Sequence, residues 1–173
     1  MNRRIRDWLL CVCSVLIVSI SGSARSGGSS TDHRSSLFEQ ASEFLRVSKA
    51  KSVEGARSLF RSDGFTCTDS TIPIEQIDRD LADRSSYLST FLFSSRAFHE
   101  RYDKSRSRTS VAEIVEAEGI PAIRVYFPQL GGKEITSAGC TSLQAAGESN
   151  QAEICWVRQG TSWKVDSGLY NCD

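Results

Sequence analysis

The hydrophobic pattern of this chain changes period once along its length. Leu37, Phe38, Ala41, Phe44, Leu45 and Val47 recur at steps of three and four behind Ser35 and Ser36, which predicts an amphipathic helix with a serine cap. A second helix is expected from Ser52, with Val53, Ala56, Leu59 and Phe60 on one face and Asp63-Gly64 as its stop, so that the two form an antiparallel pair. Pro73 opens a third, burying Ile74, Ile77 and Leu81. Residues 87–102 are so rich in aromatic side chains that a helix, a strand or one after the other all fit. The basic cluster Lys104, Arg106 and Arg108, interleaved with serines, reads as a solvated turn. From Thr109 the period is two. Strands are expected at 111–117, 122–127, 136–146, 152–159 and 162–169, separated by short polar turns that favour an antiparallel meander. Helices first and sheet afterwards give an α+β domain in which a curved antiparallel sheet wraps the N-terminal helices.

Ahead of this pattern, Arg3, Arg4 and Arg6 precede an uncharged apolar run over residues 8–20, shorter than the roughly 20 residues that span a bilayer. The small residues Gly22 and Ala24 follow it. Residues 1–24 therefore read as a signal peptide cleaved after Ala24, and the chain as secreted or otherwise extracytoplasmic, with no membrane association after cleavage. Residues 25–36 read as a flexible Gly/Ser-rich lead carrying His33, and 37–173 as a single domain. Cleavage removes three of the 21 basic and one of the 21 acidic side chains, leaving 18 against 20 and a net charge of −2. Such a domain has no electrostatic case for binding nucleic acid.

Export gives the cysteines a meaning. Cys67, Cys140, Cys155 and Cys172 remain after cleavage, an even number in an oxidising compartment, which favours two disulfides. With no C-x-x-C spacing and only His33 and His99 as histidines, neither a metal nor a cofactor is expected. If residues 140–146 and 150–157 form a hairpin turning at Gly147-Glu148, opposed residue numbers sum to 295, which sets Cys140 against Cys155 and leaves Cys67 for Cys172.

Candidate chemistry is sparse. The nucleophile-elbow, zinc-protease, phosphate-loop and dinucleotide motifs are all missing from the sequence. His99, with Glu100 beside it and Asp103 close behind, is where a group titrating near neutrality meets carboxylates, as general acid–base work requires; a histidine on a charged surface has the same signature. Tyr126, Trp156 and Trp163 fall on three of the expected strands, where they either line a pocket for an apolar ligand or fill the core. Lys164 and Asp166 alternate with Val165 and are expected in solvent.

The run AEICWVRQGTSWKVDSG over residues 152–168 resembles the final hairpin of the nuclear transport factor 2-like superfamily, and the phrase EGARSLF over 54–60 resembles part of its opening helix pair. The resemblance implies a cone-shaped α+β fold with a pocket between helices and sheet, and an open sheet of a kind that often supports homodimers. The acidic and histidine residues of the superfamily's isomerases and dehydratases find no matching positions, so catalysis is not implied. The expectation is an exported, non-catalytic domain that binds a small apolar ligand or a protein partner; the alternative is a small lyase or isomerase using His99 with Asp103 or Glu100.

Overall fold

The computed structural model describes residues 30–67 and 70–170. The expected signal peptide, its cleavage site and residues 25–29 of the lead lie outside them. No described helix is long and apolar enough to cross a membrane.

The class is α+β, as the change of period predicts. Helix α1 (Ser30–Lys49) buries Leu37, Ala41, Phe44, Leu45 and Ser48 on one face. It begins five to six residues ahead of the serines expected to cap it, Ser35 and Ser36, so the later part of the expected lead is helical. The cause is tertiary, because the polar side chains of its first turns find partners across the fold. Arg34 donates to Glu134 and to the Val125 carbonyl. Arg158 donates to His33 Nδ1 at 2.8 Å, and Trp163 Nε1 to Ser36 Oγ at 3.0 Å. The helix ends in a Schellman arrangement, with the Ser52 N–H on the Val47 carbonyl and the Lys51 N–H on that of Ser48, which forces Lys51 to φ 53°.

Four further helices open on serine caps. Ser52 accepts from the Gly55 N–H ahead of α2 (Val53–Leu59). The stretch 87–102 resolves into α4 (Tyr87–Phe93) and α5 (Ser95–Arg101), capped by Ser86 and Ser94, after α3 (Ile74–Ala82) behind Pro73. The strand expected at 111–117 is instead α6 (Val111–Glu116). Ser110 accepts from the Glu113 N–H at 3.1 Å as the N-cap, and the buried set Val111, Ala112, Ile114 and Val115 has helical spacing.

The remaining expected strands form an antiparallel meander of β3 (Ala122–Tyr126), β6 (Ala138–Gln144), β7 (Gln151–Gln159) and β8 (Ser162–Ser167), in that spatial order. Two minor hairpins accompany it: β1 (Phe65–Thr66) with β2 (Thr71–Ile72), and β4 (Gln129–Leu130) with β5 (Lys133–Glu134). Gly131 and Gly132 turn the second with φ 58° and 78°, the two positive values a two-residue hairpin favours. Between β6 and β7 every pair sums to 295, and Cys140 and Cys155 form the expected disulfide. The Arg158 N–H bonds the Ser137 carbonyl, so alternate pairs from 137/158 onward are hydrogen-bonded. The 140/155 pair is then a non-hydrogen-bonded one, where the backbones come closest, and its Cα atoms are 4.0 Å apart. Cys67 is also disulfide-bonded; the partner expected for it, Cys172, lies outside the described residues.

Helix α1 packs on the inner face of the sheet. Phe44 meets Trp156 edge-on at 5.6 Å, and Phe127 lies 6.0 Å from Trp163. The two sheet edges differ. β8 is covered, with Phe60 bridging to Val165, Lys164 donating to the Ser58 carbonyl, and Asp166 accepting from Arg61 and Thr66. Lys164 and Asp166 therefore tie β8 to its neighbours where solvent was expected. β3 has no strand on its far side among the described residues.

Candidate functional site

The three aromatic residues of the expected pocket do not converge. Trp156 and Trp163 share the inner face and are buried, whereas Tyr126, opposite Cys140, is on the outer face and 39% exposed. Both indoles are structural: Trp156 Nε1 donates to Thr141 Oγ1 at 2.9 Å, and Thr141 passes a bond to the Ile154 carbonyl. The space in which the resemblance places a pocket is filled by these rings with Phe44 and Leu37. On the outer face, burial and a hydrogen bond to Glu153 push the Tyr126 phenol up. Glu153 also lies near Cys140 and Cys155, but the disulfide takes both thiol sulfurs from any metal.

His99 sits on α5, away from the sheet's inner face, beside an open cleft of about 590 Å3 lined also by Ser95, Arg96, Lys104 and Arg106. Its Nε2 lies 3.1 Å from Glu113 Oε2, and its Nδ1 3.3 Å from the Asp103 carbonyl and 3.4 Å from Asp103 Oδ2. Both ring nitrogens are thus engaged by the protein. Glu100 lines the same cleft but pairs with Arg96 and not with His99, an exposed i,i+4 pair at 2.8 Å. Glu113 escapes the sequence reading because a strand at 111–117 hides that α6 faces α5; Ser110 three residues before it is the signal that would have shown the helix.

Asp103 is built as a loop anchor. Its carboxylate accepts the N–H groups of Arg108 (2.8 Å) and Ser107 (3.0 Å) and the hydroxyls of Ser105 and Ser107. Burial alone would raise its pKa, yet these donors outweigh it and bring the carboxyl down to about 2. The same loop puts Arg106 at φ 53° and aims Arg108 over the rings of Tyr87 and Phe91, donating to the Gly168 carbonyl. Arg108 is thus an ordered tie to Gly168 and Tyr170, whereas Lys104 and Arg106 are exposed on the turn, as expected.

A different feature stands out as a surface. Phe38 is 46% exposed and Ile120 90%. Together with Val115, Pro121 and Ile123 they line a hollow of about 270 Å3 between α1 and β3, with Arg46 and Lys49 at its rim. Phe38 and Ile123 also line an adjoining basin with Arg34, Glu39 and Val125, so a continuous trough follows β3. The sequence shows Phe38 only as part of a helical face; that β3 is an edge strand over this flank is a property of topology. Comparison with models of protein families, with curated proteins and with solved structures finds no match to this chain.

Proposed function

We propose that the chain is an exported, disulfide-stapled binding domain that engages a protein partner through the trough between α1 and β3. The observation that carries this reading is the exposed apolar pair Phe38 and Ile120 over a hollow of about 270 Å3. The hollow runs on into the adjoining basin of about 500 Å3, and the resulting trough is an open groove along β3 instead of an enclosed cavity that buries most of a small ligand, which suits a stretch of a partner chain better. Export is supported by the basic, apolar and small-residue succession over residues 1–24 and by the Cys140–Cys155 disulfide. Descent from the nuclear transport factor 2-like superfamily is part of the proposal, supported by a helix pair followed by an antiparallel meander with α1 on its inner face. The acid–base alternative has the convergence of His99, Asp103 and Glu113 in its favour, but no ring nitrogen is left for a substrate.

A photo-crosslinking residue in place of Ile120, in the cell that makes the protein, tests the reading. The expected result is one discrete polypeptide adduct that disappears with Phe38→Asp and is not formed from Arg84, an exposed position elsewhere on the surface. Adducts of lipid mass, or none dependent on Phe38, overturn it.

A further inference from the structure

The open edge of β3 narrows the kind of partner. Hydrogen-bonded pairs between β6 and β7 use the odd-numbered residues of β6, so its even-numbered residues bond to β3 through Ala122, Arg124 and Tyr126. Ile123 and Val125 then point their N–H and C=O groups outward. Arg34 caps the Val125 carbonyl. Among the described residues no hydrogen bond reaches the Ile123 N–H, the Ile123 carbonyl or the Val125 N–H, a donor–acceptor row that an extended backbone matches.

Resting on the reading above, we infer that β3 takes up an extended acidic segment of the partner as a fifth strand of the sheet. A strand added about 4.8 Å from β3 directs every second side chain to the inner side, over Phe38 and into the hollow beside Ile120. Intervening side chains fall beside Arg124 on the outer face. Arg124 is exposed and has no ion pair among the described residues. The complement is an alternating segment with aliphatic or aromatic residues inward and an Asp or Glu outward. The same arginine disfavours a second copy of this chain: the antiparallel register that overlaps all five residues of β3 sets Arg124 directly against its own copy.

The test selects random linear peptides, displayed on phage, against the disulfide-intact protein and measures the binders against variants. Enriched peptides are expected to alternate apolar and acidic residues, to protect the Ile123 and Val125 amides from hydrogen exchange, and to weaken in high salt. Val125→Pro removes an outward N–H while leaving the ladder to β6 intact, and should weaken binding about tenfold, against less than about twofold for Val125→Thr. Arg124→Glu should weaken it about two- to fivefold. If Val125→Pro does not fold, the amide protection and Arg124→Glu decide the matter. Peptides that need Phe38 but are basic or helical, or that ignore Val125→Pro, overturn strand addition and leave the trough reading standing. Enrichment of nothing that depends on Phe38 sinks both.

Discussion

Asp103→Asn is expected to destabilise the protein by about 2 kcal/mol at pH 7. The carboxylate accepts four hydrogen bonds, two of them from the Ser107 and Arg108 N–H groups, and is only 7% exposed. Its fall from an ordinary 3.8 to about 2, at about 1.36 kcal/mol for each tenfold change in proton affinity, is worth about 2 kcal/mol. An asparagine turns one acceptor into a donor and faces an N–H with it. Because the folded carboxyl holds its proton less tightly than the unfolded one, the stabilisation is full above about pH 4 and is lost as pH falls through about 2. Urea unfolding of both proteins between pH 7 and pH 2 measures this. The gap should narrow steadily below pH 4, and at pH 7 it should appear as a drop in melting temperature of roughly 4–8 °C. A gap below about 0.5 kcal/mol at pH 7, or one of constant size down to pH 2, would refute the assignment of Asp103 as the ionised anchor of its loop.

Other expectations follow from single features. Replacing Cys140 and Cys155 together by serine opens a loop of sequence separation 15 and should cost about 3 kcal/mol in denaturant unfolding under non-reducing conditions. Trp156→Ala empties a fully buried site and strands Thr141, for a loss of about 3–5 kcal/mol in the same assay. Lys51→Gly relieves a left-handed residue at the end of α1 and should raise stability by up to about 1 kcal/mol. Gly168→Ala should cost more than about 1 kcal/mol, since φ is +99° and a Cβ would sit 2.2 Å from the Glu153 carbonyl oxygen.

Features decided by local chemistry are legible along the chain. Periodicity placed α1, α2 and the four strands of the meander, since a face buried against anything repeats at its element's own period. The turn at Gly147-Glu148 set the β6–β7 register, and with it the Cys140–Cys155 bond. Where a short apolar run satisfied both periods, as at 111–117, the capping bond from Ser110 settled it, a term worth about 1 kcal/mol that β-branched residues masked. Other features belong to the tertiary structure alone. The first turns of α1 are helical because Arg34, His33 and Ser36 meet Glu134, Arg158 and Trp163, residues about a hundred or more positions away. Glu113 reaches His99 only because α5 and α6 pack together, and Tyr126 leaves the aromatic trio because its strand pairs Tyr126 with Cys140 on the outer face. The trough has the same origin: which strand ends up at an open edge, and which helix flank lies beneath it, is fixed by how the elements pack and has no periodic trace in the chain.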